Sequence, residues 1–335
     1  MSAMIKVGVV GASGYTGLEL IKIILKHPIF ELSLVATSEG GGRVDTLHPS
    51  LASICNMSVI DANVEQIARG CELVFLALPH TASMGYVKDL VALGVKVVDL
   101  SADYRLDLKT YESYYVPHTD RENLKIAAYG LPELNQEQIC ESSLVANPGC
   151  YPTASLLAIL PFMKYLQKDS PIIIDAKTGV SGSGKKLTNE SHFVHINENV
   201  FAYKPFEHRH APEIAQMLLV DESRVKFVPH LLPLTRGMLC SIYVSVDGDF
   251  DPVEVLREFY AKSPFVRIYE QPVSAKQSAG TNFCDIYATR SANTLFIASS
   301  IDNLLRGASS QAVVNANLMM GLDEDVGIPD IAYVP

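Results

Sequence analysis

Ile5–Val10 is a short apolar run that ends in glycines and is followed by Leu18–Leu25, whose apolar residues recur at helical spacing. Glu31–Ala36, Glu72–Ala77 and Lys96–Leu100 are further short apolar runs, and Ser83–Leu93, between the last two, again has helical spacing. Unalternating runs suit strands buried on both faces. Their alternation with amphipathic helices predicts βαβ units and a parallel sheet. Beyond Cys150 the pattern changes. Pro152–Leu166 predicts a helix with proline near its first turn. Pro171–Ala176, Val225–Pro229, Met238–Val246, Phe283–Ala288 and Leu295–Ser299 alternate more strongly and are not regularly separated by helices. They predict an α+β domain with a largely antiparallel sheet. Residues 303–322 read as one long helix.

With 335 residues the chain is too long for a single core, so two domains are expected. The hydrophobic share of 48% and charged share of 19% suit a folded protein. The formal charge of −10 comes without a lysine/arginine run, which disfavours nucleic acid and anionic membrane as partners. A small anionic substrate would be met by local arginines or backbone N–H groups. No stretch reaches the ~18 apolar residues of a membrane span, and the N-terminal segment lacks the basic start of a signal peptide. The six cysteines show no CxxC pair and no regular spacing, so they read as reduced thiols in a cytoplasmic protein. The histidines lack metal-ligand spacing, and no metal site is expected. His27, His48 and His118 read as packing residues.

The stretch VGVVGASGYTG places glycines at 8, 11, 14 and 17 where a strand gives way to a helix. Glycine lets backbone approach a pyrophosphate there, and the helix N-terminus supplies N–H donors and positive partial charge. Gly11, Ser13, Gly14, Tyr15, Thr16 and Gly17 are therefore the expected cofactor-binding turn, with GxxGxxG spacing in place of the commoner GxGxxG. The second strand ends in Thr37 and Ser38, where an NAD enzyme usually carries a carboxylate for the ribose 2′-OH. Hydroxyls tolerate a 2′-phosphate that a carboxylate would repel, and Arg43 lies close by, so Ser38 marks an NADP(H) site.

ANPGCYPT holds a lone cysteine between two prolines, ahead of the apolar ASLLAIL. A thiol at a helix N-terminus has its thiolate stabilised by the dipole. Pro152 removes a donor that would be unpaired anyway, and Gly149 permits a tight turn that bares the sulfur. Cys150 is thus the expected nucleophile; the other five cysteines read as buried packing groups. A nicotinamide fold combined with a nucleophilic cysteine suggests chemistry through a thioester, released by hydride as an aldehyde.

GASGYTG, LSADYRL, NPGCYPT, GVSGSGK, HRHAPEI, PHLLPLTRGM and DNLLRGASSQAVVNAN follow one another in this order. Together they resemble the N-acetyl-γ-glutamyl-phosphate reductase family of arginine biosynthesis, which is related to aspartate-semialdehyde dehydrogenase. The resemblance implies NADP-dependent reduction of an acyl phosphate to a semialdehyde. It implies a Rossmann domain (residues 1–147 and 303–335), a glyceraldehyde-phosphate-dehydrogenase-like catalytic domain (148–302) and a homodimer or homotetramer. It also implies that Cys150 is the nucleophile and that His208-Arg209-His210 supplies the acid/base. His210 is favoured, because a helix opened by Pro212 would put Glu213 one turn on to orient it. Spacing alone does not choose between the two histidines, and His208 is then a substrate contact. Arg105, Asn147 and Arg236 are the implied holders of phosphate or carboxylate. Ser181 and Gly182 belong to a loop closing on the cofactor, and Asn315 to the helix returning to the nucleotide.

Other readings predict other features. A related reductase with a longer or carrier-bound acidic substrate would favour a basic surface stripe. A nicotinamide-sensing protein without catalysis would not need the cysteine frame or the histidine pair. A thiol hydrolase would leave the nucleotide turn unexplained.

Overall fold

The computed structural model describes residues 4–334. The chain forms two compact units: residues up to Pro148 together with Ala308–Ile328, and Gly149–Gly307 together with the residues from Pro329 onward. The returning C-terminal helix therefore belongs to the first unit, whereas residues 303–307 and 329–334, assigned to the first domain from sequence, lie with the second.

The first unit is a seven-stranded sheet of β1 (Ile5–Val10), β2 (Phe30–Thr37), β3 (Ile60–Asp61), β4 (Leu73–Leu76), β5 (Lys96–Asp99), β6 (Ala128–Tyr129) and β7 (Leu144–Ala146). Their order is β3-β2-β1-β4-β5-β7-β6, and every pairing is parallel. The unbroken apolar runs of β4 and β7 are buried throughout, as a sheet covered on both faces requires. Strand order reverses between β1 and β4, and ligands bind such sheets at the carboxyl ends flanking that point. The helix Ser309–Met319 is buried along its whole length, between helices Tyr15–Ile24 and Pro132–Glu141 and against β5.

The second unit carries β8 (Ile172–Gly179), β9 (Phe201–Ala202), β10 (Val225–Leu232), β11 (Met238–Ser245), β12 (Val266–Tyr269), β13 (Cys284–Ser291) and β14 (Thr294–Ile301) in the order β12-β13-β14-β11-β8-β10-β9. The pairs β8–β11, β11–β14, β13–β14 and β9–β10 are antiparallel, while β8–β10 and β12–β13 are parallel. In β8, β10 and β11 buried residues alternate with half-buried or exposed ones. One face is thus core, covered by helices Cys150–Ile159 and His210–Leu218.

Two helices end or begin elsewhere than the sequence pattern suggests. The helix after Cys150 starts at the cysteine itself and runs to Ile159; a tighter 3-10 turn, Leu160–Tyr165, follows where Pro161 lacks the N–H an α-helix needs. The C-terminal helix spans only Ser309–Met319. Residues 302–307 form a separate turn in which buried Asp302 accepts the N–H groups of Leu304 and Leu305, and Ala308, at φ −159°, ψ −85°, breaks the path. Apolar periodicity runs through both segments, so hydrophobic pattern alone did not mark the break.

Candidate active site

In the first unit the glycine turn lies where β1 ends. The N–H groups of Gly11 and Ala12 both donate to the carbonyl of Ala36, which ties the turn to the end of β2. Gly11 has φ +86°, and a Cβ there would run into the backbone carbonyl of Ala77 at the end of β4. Only glycine fits. The helix Tyr15–Ile24 has no side-chain cap on its first N–H groups and no acidic residue in its first turn. That end keeps its donors and positive partial charge for an anion. Ser13 and Tyr15 are exposed beside it, while Thr16 is half-buried and its carbonyl accepts from the Ser309 hydroxyl at 2.9 Å.

In the second unit Cys150 is the first residue of helix Cys150–Ile159, with Gly149 in the extended N-cap conformation and the cysteine half-buried. His210 is the first residue of helix His210–Leu218, so the nucleophile candidate and the imidazole each stand at a helix start. A Cβ placed on Gly149 would lie 2.6 Å from Nε2 of His210: the imidazole occupies the space beside the residue preceding the sulfur. On another side, a Cβ on Gly307 would lie 2.6 Å from Cβ of Cys150. Two missing side chains thus make room for the His210 ring and for Cys150.

Glu213 is buried, and its Oε1 accepts the backbone N–H of Gly149 at 2.9 Å. The sequence expectation has it orienting His210; this bond shows that it also holds the turn that carries the cysteine. His208 is not an equivalent of His210. Its Nδ1 accepts the backbone N–H of His210 at 3.2 Å. Burial, with the charges of Lys204 and Arg209 adding to it, pushes its pKa down to about 4.

The semialdehyde dehydrogenase NAD-binding domain matches residues 6–142, and the semialdehyde dehydrogenase dimerisation domain matches residues 150–303. The chain is 62% identical to the N-acetyl-gamma-glutamyl-phosphate reductase of Sulfurimonas denitrificans, over 100% of both chains. The chain belongs to the N-acetyl-γ-glutamyl-phosphate reductase family. It is also 55% identical to the reductase of Wolinella succinogenes over 99% of each chain. Among solved structures, aspartate semialdehyde dehydrogenase II of Vibrio cholerae complexed with ASA has the same fold at a TM-score of 0.74 and 16% identity, covering 96% of this chain and 99% of that one. The Candida albicans aspartate semialdehyde dehydrogenase with NADP gives 0.72 at 15% identity, with 97% and 100% covered.

Several residues implied by the family resemblance are tied into the fold. In the first unit Arg105 is buried, its Nε donating to the Asn147 carbonyl and its Nη2 to the Leu100 carbonyl, each at 2.7 Å. These bonds fix the plane of its guanidinium. The Asn147 amide accepts from Asn315 at 3.0 Å and donates to the Ala308 carbonyl at 3.1 Å. Asn315, fully buried, also donates to the Gly130 carbonyl at 2.9 Å, so it braces Asn147. Near the end of β2 Ser38 is exposed, but Arg43 pairs with Asp45 at 2.6 Å rather than turning to Ser38.

In the second unit Arg236, expected to hold an anionic substrate, is paired with fully buried Asp302 at 3.0 Å. Its charge is matched inside the fold. Ser181 and Gly182 lie on the 3-10 turn Val180–Ser183, where the Ser181 hydroxyl accepts from Asn303 at 3.0 Å. Asn303 in turn accepts the N–H of Gly237 at 2.8 Å, which ties the loop to the Arg236 turn. Sequence reasoning missed one brace of the glycine turn: buried His48, whose Nε2 bonds the Ala12 carbonyl at 2.7 Å. A carbonyl only accepts, so that nitrogen carries the proton. No motif around His48 announces the contact.

Proposed function

We propose that this chain reduces N-acetyl-L-glutamyl 5-phosphate to N-acetyl-L-glutamate 5-semialdehyde with NADPH, releasing phosphate, as a step of arginine synthesis. The observation that carries the reading is a helix-start cysteine with an imidazole packed against the preceding glycine, in a chain 62% identical over its full length to a protein bearing that reductase's name. The glycine turn fits a dinucleotide. The uncapped, acid-free start of helix Tyr15–Ile24 suits its pyrophosphate, held by Gly11, Ser13, Gly14, Tyr15, Thr16 and Gly17. Thr37 and Ser38 at the end of β2 offer hydroxyls and no carboxylate, which suits a ribose 2′-phosphate.

The helix N-terminus favours Cys150 as the thiolate. The sulfur attacks the acyl carbon; a C–S bond forms, the C–O bond to phosphorus breaks, and phosphate leaves. His210 takes the thiol proton at the start and supplies it to the departing phosphate oxygen. Glu213 holds Gly149, and with it the approach angle of the sulfur. NADPH held at the glycine turn would supply the hydride needed to reduce the thioester carbon. Collapse of the hemithioacetal oxygen then breaks the C–S bond, freeing the aldehyde and returning sulfur to the helix start, where His210, reprotonated from solvent, faces it. Arg105, its guanidinium fixed by two carbonyls, is the residue we assign to the substrate's phosphate or carboxylate. Asn147 shapes that site through the carbonyl that receives Arg105.

A homodimer fits the sequence match to a dimerisation domain and the open face of the second sheet. There Ile173 and Tyr243 are exposed and Tyr243 packs near Phe296, ring centroids 5.2 Å apart. Among the described residues no helix is long and apolar enough to cross a membrane, and all six cysteines are free. These facts support a cytoplasmic enzyme. The decisive test is the reverse reaction: N-acetylglutamate semialdehyde, phosphate and NADP should give reduced cofactor by absorbance, with NAD and aspartate semialdehyde run alongside as poor substitutes. Equal rates with aspartate semialdehyde would overturn the assignment.

A further inference from the structure

We infer that His208 is a positioning residue for the acid/base: a neutral imidazole whose Nδ1 serves as the acceptor for the first N–H of the His210 helix and whose ring walls the His210 ring in place. This rests on the reading of His210 as acid/base and goes beyond it by giving the neighbouring histidine a distinct task.

A helix leaves its first N–H groups without intrahelical partners, and a side chain at the N-cap usually accepts one. Here the N-cap is Arg209, whose backbone is already helical at φ −61°, ψ −7° and whose side chain makes no capping bond. The acceptor comes from one residue earlier, as the His208 Nδ1 that meets the His210 N–H at 3.2 Å. An imidazole nitrogen accepts only when unprotonated. The surroundings enforce that state: the ring is largely buried, Lys204 and Arg209 are the charged groups acting on it, and both are positive. The other groups facing it are the rings of Tyr151, Tyr203, His210 and Phe227.

Those rings connect the site. The His208 ring meets the His210 ring edge-on at 4.8 Å, Tyr151 at 5.7 Å and Tyr203 at 5.6 Å. Tyr151 directly follows Cys150, and its hydroxyl bonds that of Tyr203 at 3.0 Å. Burial raises the pKa of both phenols, so they remain uncharged hydrogen-bonding groups. One aromatic box therefore joins the helix carrying the nucleophile to the helix carrying the imidazole, and its member His208 also bonds the backbone of the His210 helix start. A shift of about 1 Å in a catalytic group is enough to cost on the order of a hundredfold in rate.

Asparagine and glutamine separate the acceptor role from bulk, because an Asn side-chain oxygen falls near the imidazole Nδ1 position and a Gln oxygen near Nε2. His208→Asn and His208→Gln are compared with wild type and with His210→Asn. The readouts are kcat, KM, and the pH midpoint for iodoacetamide alkylation of the peptide containing Cys150. The expected result is a His208→Asn enzyme within about threefold of wild type, and a His208→Gln enzyme slowed about tenfold or more in kcat with a displaced alkylation midpoint and an unchanged KM for NADPH. Equal behaviour of the two variants, whether both active or both impaired, overturns the proposal. Loss of folding in both, seen by circular dichroism, overturns it as well, since His208 would then be a core residue and nothing more. Full activity of His210→Asn would instead remove the underlying reading of His210 and is seen separately.

Discussion

The carboxylate of Glu213 accepts the amide N–H of Gly149 at 2.9 Å, so a helix start that carries the imidazole also grips the residue before the nucleophile. A hydrogen bond to a charged group contributes about 1.5–3 kcal/mol, and leaving the buried amide unpaired forfeits it. Glu213→Ala is expected to lower kcat about tenfold or more and to reduce Tm. Glu213→Gln, which keeps an acceptor oxygen, should recover most of both. Steady-state rates with thermal melts check this, and a Gln variant as poor as the Ala variant would show that the charge, not the bond to Gly149, matters.

Gly149→Ala places a methyl 2.6 Å from His210 Nε2, and Gly307→Ala places one 2.6 Å from Cys150 Cβ. Either contact forces the side chain or its helix to move. Both variants are expected to lose about a hundredfold or more in kcat. Because neither touches the glycine turn, NADPH binding followed by fluorescence titration should stay within about twofold of wild type. Loss of NADPH affinity alongside turnover would contradict this division of labour.

The neutral His208 makes stability depend on pH with a definite sign. Its folded pKa is pushed down to about 4, whereas an unfolded histidine titrates near 6.5. Between these values the unfolded chain holds the extra proton, so stability rises with pH across that window and is lost as pH falls through it. Chemical denaturation at steps from pH 7.5 to 4.5 should show this slope, and His208→Asn should flatten it. An unchanged slope in that variant would assign the effect elsewhere.

Half-buried Arg236 pairs with fully buried Asp302, which also accepts the N–H groups of Gly280, Leu304 and Leu305. Removing one partner of a buried pair costs about 3–5 kcal/mol because the other charge is left uncompensated. Asp302→Ala should lower Tm sharply. Arg236→Lys should lower Tm modestly with little change in KM for the acyl phosphate. A large KM effect with unchanged Tm would instead make Arg236 a substrate contact, as the family resemblance implies.

Local signals were strong where chemistry and backbone coincide. GASGYTG marks the switch of a parallel sheet because glycine is needed where Gly11 meets Ala77, and NPGCYPT marks a helix start because proline and glycine have positional meanings there. Alternation in β8, β10 and β11 marked a half-open sheet. What remained hidden depends on partners far apart in sequence. Nothing near Arg236 in sequence announces its pairing with Asp302, and nothing near Asn315 announces its bonds to Gly130 and Asn147. His48 gains its place under the glycine turn only through the fold. β12 (VRIY) was missed because all four of its residues are half-buried, which gives neither a clean apolar run nor a clear alternation.

The proposed reaction depends on a thioester formed on Cys150. Mixing the protein with N-acetylglutamyl 5-phosphate in the absence of reduced cofactor, quenching in acid and mapping peptides by mass tests it directly. One equivalent of phosphate should be released in a burst and one N-acetylglutamyl group should appear on the Cys150 peptide, discharged on adding NADPH and absent in Cys150→Ser. Turnover by Cys150→Ser at the wild-type rate, or an acyl group found on any other residue, would contradict it.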